Sequence, residues 1–177
     1  MDSTRIVPFC VPLSPGEASG GVGVVGTITL RGKSAIVWFG WGAVERRVEE
    51  EEDCDQNNRS DKSTVAIVGT GRPPMGSLCV SMPQSARKGS SIMPPPTSQL
   101  IGGSSDEDMM LGQQMSARLA KRIGWPIFVS CSFSDFGNNG ASPALAAGFD
   151  DDTMPAAMAE KEVTRILTLE KDKLVST

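Results

Sequence analysis

Between residues 104 and 124 the hydrophobic positions recur every four residues, which is the spacing of one face of an α-helix. The apolar positions are Leu111, Met115, Leu119 and Ile123. Serines followed three residues later by acidic residues form an N-cap signal, and Gly124 with Pro126 forms a stop signal. The pattern predicts a helix over about 106–123.

Directly after this helix the period changes from four to two. Apolar side chains alternate from Ile127 to Phe133, which predicts a strand with one strongly apolar face and places Cys131 in the core. Two earlier β-rich runs, Val24–Arg31 and Ser34–Trp41, are joined by a glycine-containing turn that predicts a hairpin. Further strands are predicted at Thr64–Thr70 and, shorter, at Leu78–Val80.

A second helix is predicted over about 155–170, because Pro155 starts a segment with apolar positions at helical spacing. Early strands and late helices indicate an α+β fold: a single domain with a mainly antiparallel β-sheet covered by two helices. We expect a flexible N-terminal arm at 1–20, within which Ile6–Leu13 is an alternative edge strand. The domain then spans 21–177, with loop inserts at about 45–62, 71–95 and 134–152.

The chain has 177 residues, with 17 basic and 21 acidic side chains and no histidine. Eight acidic and four basic residues lie between Glu45 and Lys62, so this segment alone holds the net charge of −4. Nucleic-acid binding is disfavoured because it requires a concentrated basic surface. The acidic run is interpreted as a solvated loop, with a site for a basic partner as the alternative.

The four cysteines are far apart and form no Cys-x-x-Cys pair that could start a zinc site or a redox dithiol. The N-terminus has no signal-peptide pattern, and no apolar run approaches the ~20 residues needed to cross a bilayer. A reduced protein of the cytoplasm, with the nucleus as a further location, is therefore expected.

Two glycine patterns imitate phosphate-binding motifs. Gly21, Gly23 and Gly26 fit Gly-x-Gly-x-x-Gly, but a β-rich run follows them where the motif requires a helix. The end of a P-loop is imitated by Gly32-Lys33-Ser34, with Thr27 at the position that requires the first glycine. We expect no cofactor, and keep a small nucleotide-binding enzyme that uses residues 21–26 as an alternative.

No catalytic residue is predicted, because a serine or cysteine nucleophile usually needs a nearby base and the chain has no histidine. Serine–lysine or threonine-based sites stay open. The run Asp150–Asp152 could in principle hold a cation, but adjacent residues cannot all face one ion, so it is interpreted as negative charge before a helix. No metal site is expected.

Three aromatic side chains, Trp38, Phe39 and Trp41, form a cluster that could bind a partner. Aromatic residues on a strand more often belong to the core. Alternation nevertheless sends Trp38 and Phe39 to opposite faces, so one face could be covered by another chain.

The segment Pro96–Phe133, PTSQLIGGSSDEDMMLGQQMSARLAKRIGWPIFVSCSF, resembles the signature region of the proteasome assembly chaperone 4 family. A second patch, AIVWFGWG at Ala35–Gly42, is similar to the apolar strand of that family. With the C-terminal helix, the resemblance covers roughly half of the chain. The acidic, proline-rich and Gly/Asn inserts depart from compact members of the family and put contacts made by loops in doubt.

The resemblance implies a non-enzymatic chaperone for 20S proteasome assembly that needs no ATP or metal. It would form a heterodimer with a chaperone-3-type partner and hold α subunits while the α-ring forms. Exposed side chains of the first helix are further candidates for partner contact, with simple solvation as the alternative: Gln113, Gln114, Arg118 and Arg122. A generic protein-interaction module is the rival binding interpretation.

Overall fold

The computed structural model describes residues 4–13, 21–49, 64–70, 73–84, 94–102, 105–133 and 154–175. Its strands and helices, numbered in chain order, are β1 (Thr4–Pro12), β2 (Gly21–Arg31), β3 (Ser34–Glu49), β4 (Thr64–Thr70), β5 (Ser77–Ser81), β6 (Thr97–Ile101), α1 (Asp106–Ile123), β7 (Ile127–Ser132) and α2 (Pro155–Val175). The predicted strand at 64–70 and both predicted helices are confirmed.

The seven strands in the described part of the chain form one sheet in the order β1-β2-β3-β7-β5-β6. All neighbours are antiparallel except β3 and β7, which run parallel with Ala35 opposite Ile127. The remaining strand, β4, pairs antiparallel with the second half of β3, beyond the part that β7 occupies. The fold is α+β, as predicted, with one mixed and mostly antiparallel sheet.

The turn between β2 and β3 is the predicted hairpin turn. Gly32 has a φ of 55°, a conformation that glycine adopts without the steric cost of a Cβ atom. The Ser34 hydroxyl donates a hydrogen bond to the Arg31 carbonyl oxygen at 2.8 Å and closes the turn. The pairing continues as far as Gly21 opposite Val44.

Three segments predicted as irregular contain strands. β1 occupies nine residues of the predicted flexible arm at 1–20, which confirms the alternative of an edge strand at Ile6–Leu13. β3 continues to Glu49 inside the predicted insert at 45–62, and β6 lies in the polar stretch before α1. Each gains its backbone hydrogen bonds from another strand, which local composition does not reveal. The expected loops at 134–152 and at the centre of the acidic insert lie outside the described residues.

Local capping explains the ends of α1. The Ser105 hydroxyl accepts hydrogen bonds from the Glu107 and Asp108 amides at 3.2 and 3.4 Å. At the other end Gly124 adopts a left-handed conformation and its amide donates to the Ala120 carbonyl oxygen. Lys171 of α2 adds a hydrogen bond from its ammonium group to the Ile123 carbonyl oxygen at 2.9 Å.

Both helices pack on the same face of the sheet and enclose the core. The inward positions of α1 are the predicted ones, with Met115, Leu119 and Ile123 almost completely buried and Leu111 partly buried. The second helix buries Ala159, Val163 and Leu167 against the strands. It continues to Val175, about one turn beyond the predicted end near 170.

Candidate functional site

The face of the sheet opposite the helices is the candidate site, and we call it the open face. It is formed by the outward positions of four strands: Ile6, Pro8, Thr27, Thr29, Ile36, Trp38 and Phe128. Alternate residues on the same strands, such as Val37 and Phe39, point into the core. The period-two pattern of the sequence therefore places two different surfaces on β3.

The open face is strongly apolar for an exposed surface. Strand register aligns Ile6, Thr29, Ile36 and Phe128 in one row across the sheet. Ile6 is 64% exposed and Ile36 is 48% exposed, while Phe128 is half-buried. Neighbouring positions in such a row touch one another, so the row forms a strip of three apolar side chains and one threonine that a second surface could cover.

A groove of about 890 Å³ lies beside this row and extends around β1 to Glu162, Arg165 and Ile166 of α2. Pro8, Thr27 and Trp38 line it from the strands, and Pro73 lines it from the segment that connects β4 to β5. The Trp38 indole is half-buried and donates a hydrogen bond from Nε1 to the Pro74 carbonyl oxygen at 3.2 Å. This bond holds the ring against the connecting segment and orients the wall of the groove.

The connecting segment approaches the sheet closely because of two glycines. A Cβ atom on Gly76 would lie 1.8 Å from the Cys131 carbonyl oxygen, and one on Gly40 would lie 2.6 Å from the Pro73 ring. Only glycine permits this approach at residue 76, since the atom in the way belongs to the backbone. The segment thus covers one end of the open face and leaves Ile6 and Ile36 exposed.

Of the predicted aromatic cluster, only Trp38 reaches the open face. Phe39 and Trp41 are 1% and 5% exposed, and both rings pack edge-on against Phe133 at centroid distances of 5.5 and 5.2 Å. The Trp41 Nε1 also donates a hydrogen bond to the Phe133 carbonyl oxygen at 3.0 Å. These two side chains stabilise the core and are not available to a partner in this conformation.

The four predicted contact residues of α1 lie on the other side of the sheet from Trp38. Gln114 and Arg122 are exposed and Gln113 is half-buried. The Arg118 guanidinium is paired with the Glu160 carboxylate of α2, with Nε 2.8 and 3.0 Å from its two oxygens, and this hydrogen bond raises the pKa of Arg118. The predicted residues therefore occupy separate surfaces, and their role in binding stays a prediction.

Sequence reasoning missed Ile6, Ile36 and Phe128. The signal for Ile36 was present, since it precedes Trp38 by two residues and must share its face. Ile6 and Phe128 join that face only through pairing with distant strands, which a single sequence does not specify.

The glycine-rich segment does not have the geometry of a dinucleotide site. Gly21 to Gly26 lie inside β2 and are paired with β3, and Gly23 to Gly26 are also paired with β1 on the other side. A Cβ atom on Gly26 would lie 2.5 Å from the Trp38 carbonyl oxygen and 2.7 Å from the Phe9 ring. Close packing within the sheet explains this glycine, and no helix N-terminus follows it to receive a phosphate.

The described cysteines have suppressed thiol chemistry. Burial raises the pKa of the Cys131 thiol to about 12, with the Asp108 carboxylate adding to the effect. The pKa values of Cys10 and Cys79 are also raised, in both cases mainly by burial. Cys131 is completely buried, which confirms its predicted place in the core.

Within the described ranges, no group of three or more His, Cys, Asp or Glu side chains is placed to hold a metal ion. The run Asp150–Asp152 lies outside them. In the same ranges, neither helix is long and apolar enough to cross a membrane.

The strongest link to known proteins lies in the second half of the described fold. No curated protein matches the chain. The segment that contains β4, β5, β6, α1 and β7 does match a family model, and it includes the helix–turn–strand unit whose pattern resembled a known family. Residues 56–133 match the model of the proteasome assembly chaperone 4 family, which confirms over that segment the resemblance seen in the sequence.

Proposed function

We propose that the chain is a non-enzymatic chaperone for assembly of the 20S proteasome, acting in the cytoplasm or the nucleus. The observation that carries this proposal is the match of residues 56–133 to a family of proteasome assembly chaperones. The matched segment includes α1 and β7, which together form much of the core. The proposal requires that the chain bind other proteins and requires no catalysis.

The proposed partner is a chaperone of the 3 type, docked on the open face to give a heterodimer. The apolar row from Ile6 to Phe128 supports this choice, since burying such side chains stabilises an interface by about 25 cal/mol per Å². A stable interface needs roughly 800 Å² from each partner. The groove beside Trp38 would receive a side chain of the partner and fix the orientation of the two sheets.

In this arrangement the helices stay accessible to α subunits. Docking on the open face leaves α1 on the outside of the heterodimer, with Gln114 and Arg122 exposed. Such a surface would act by binding one arrangement of α subunits better than its competitors during α-ring formation. Later subunits that cover the same surface would displace the chaperone.

Affinity purification of tagged variants from cells, followed by mass spectrometry, tests both parts of the proposal. We expect the unmodified chain to recover a second small chaperone and α subunits without mature β subunits. Ile36→Asp places a charge on the open face and should abolish recovery of the small chaperone. The matched control is Leu174→Asp, at an equally exposed position near the end of α2, which should recover it normally.

Recovery of an unrelated complex would favour the generic interaction module. Equal recovery with Ile36→Asp and Leu174→Asp would contradict docking on the open face while leaving the assembly role intact. The nucleotide-binding enzyme is less well supported, because Gly21 to Gly26 lie inside a strand and Gly23 to Gly26 are paired on both sides.

A further inference from the structure

A second groove, of about 780 Å³, lies between the end of β1 and α2 on the helical side of the sheet. We call it the basic groove and define it by Val11, Pro12, Arg122, Met158, Lys161 and Leu169. The side chains from α2 lie along one stripe of that helix, from Met158 to Leu169. At 1.5 Å per residue this stripe is about 16 Å long, enough for an extended segment of about five residues.

The basic groove carries positive charge in a chain whose net charge is −4. The Arg165 guanidinium at its edge is neutralised by the Glu162 carboxylate, with nitrogen–oxygen distances of 2.9 and 2.6 Å. Arg122 and Lys161 are both exposed, and neither forms an ion pair with any residue that the structure describes. Among the described residues, two cations without an ion pair therefore line one groove.

The floor of the basic groove is apolar. Leu169 is 49% exposed, and Met158 is half-buried against the core cluster. The groove therefore combines a hydrophobic strip with cations beside it. That combination fits a peptide with both apolar and acidic side chains, since the strip supplies affinity and the cations supply orientation.

We propose that the basic groove binds an acidic peptide segment of a partner protein. Carboxylates of the segment would pair with Arg122 and Lys161, and one of its apolar side chains would lie on Leu169 and Met158. Nucleic acid is a poorer fit, because the described lining of the groove has two cations without an ion pair and no aromatic side chain on which a base could stack. This inference does not depend on the proposed proteasome role.

Fluorescence anisotropy with labelled peptides tests the proposal on the full chain. The probes are peptides of about ten residues in which glutamate and leucine alternate or lie at helical spacing, each with a glutamine-for-glutamate counterpart. We expect the acidic peptides to bind more tightly than their neutral counterparts. Their binding should weaken as salt rises from about 0.05 M to about 0.5 M.

The variants distinguish binding at the basic groove from non-specific attraction between the acidic peptide and cations elsewhere on the surface. Arg122→Gln with Lys161→Gln should weaken binding by about tenfold, and Leu169→Ser by about fivefold. The control is Arg31→Gln with Lys33→Gln, which removes two exposed cations at the β2–β3 turn and should leave affinity unchanged. Thermal melting of each variant shows whether it is folded.

Three outcomes would overturn the proposal. No acidic peptide binds more tightly than about 1 mM, the Arg122 and Lys161 variant binds as well as its control, or an RNA oligonucleotide binds more tightly than any peptide. None of these bears on whether the tagged chain recovers α subunits, so the two proposals can fail separately.

Discussion

Asp108 shows how one side chain can join a helix to a strand. It lies in the first turn of α1, is 4% exposed, and its Oδ1 accepts a hydrogen bond from the Phe133 amide at 3.1 Å. The sequence pattern identified it only as an acidic residue of the first turn.

We expect Asp108→Ala to reduce the free energy of unfolding by about 1–3 kcal/mol, because the Phe133 amide would lose its acceptor near the core. Urea denaturation measures the change. Glu107→Ala is the matched control, since Glu107 has the same charge in the same turn but is exposed. A loss with Asp108→Ala no larger than that with Glu107→Ala would contradict the explanation.

The cysteines give a second prediction at this scale. Because the folded pKa of Cys131 is about 12, this thiol is protonated and unreactive at ordinary pH. In a Cys54→Ser background, iodoacetamide at neutral pH should modify the half-buried Cys10 before Cys131. Peptide mass spectrometry at several times measures the order, and early modification of Cys131 would show that its burial is not maintained.

The raised pKa of Cys131 also makes the stability of the protein depend on pH. The folded pKa of Cys131 lies above its ordinary value of 9.0, so the thiol contributes stability that is complete below pH 9. That contribution should be lost as the pH rises toward 12. In Cys131→Ala the decrease in unfolding free energy between pH 9 and 11 should be smaller than in the unmodified chain, measured by urea denaturation at each pH.

At the scale of elements, α1 is the part that local sequence determines most completely. Its cap, its apolar stripe and its glycine stop all lie within about 20 residues, so the predicted and observed boundaries agree at 106–123. β6 and the ends of β1 and β3 could not be predicted in this way, because their hydrogen bonds go to strands elsewhere in the chain. The parallel pairing of β3 with β7 was missed for the same reason.

Gly112 lies inside α1, where glycine makes a helix less stable than alanine does. A Cβ atom on Gly112 would lie 3.4 Å from the Cys79 sulfur, which is an ordinary contact distance. Gly112→Ala should therefore raise the free energy of unfolding by about 0.5–1 kcal/mol, the cost of a glycine within a helix. Gly76→Ala should instead destabilise the protein, since its Cβ atom would overlap the Cys131 carbonyl oxygen. Thermal or urea denaturation of both variants checks the opposite signs.

The contact between the two helices can also be tested. Lys171→Met removes the hydrogen bond to the Ile123 carbonyl oxygen and should cost about 0.5–1.5 kcal/mol of stability. Lys161→Met, at an exposed position of the same helix without an ion pair among the described residues, should cost less. Equal effects of the two substitutions in urea denaturation would mean that the hydrogen bond from Lys171 to the end of α1 contributes nothing to stability.

For the whole molecule, the sheet order predicts where the fold is most stable. The part of β3 from Ala35 to Gly40 is paired with β2 on one side and β7 on the other, whereas β6, among the described strands, has a neighbour on one side only. We expect the amides of this central part to exchange with solvent deuterium most slowly and those of β6 much faster. Equal protection of the two strands would mean that the sheet opens as a single unit.

The two candidate binding surfaces can be identified only from the fold of the whole molecule. Trp38 was predicted as a contact residue and lies on the open face, but Phe39 and Trp41 were placed in the same cluster and belong to the core. Local composition could not distinguish them, because β3 has aromatic side chains on both faces and only the packing of α1 and α2 decides which face is covered. The basic groove combines β1 with two helices from the other end of the chain, so no local motif encodes it.

The pairing of β3 with β7 has a consequence for the growing chain. Ala35 leaves the ribosome about ninety residues ahead of Ile127, its neighbour in the sheet. At ordinary rates of synthesis this interval lasts roughly 5–20 s. During that time the central edge of β3 has hydrogen-bonding groups without their final partner, and any β-prone segment nearby can add to it. A chain truncated before residue 127 would keep that edge permanently and should aggregate.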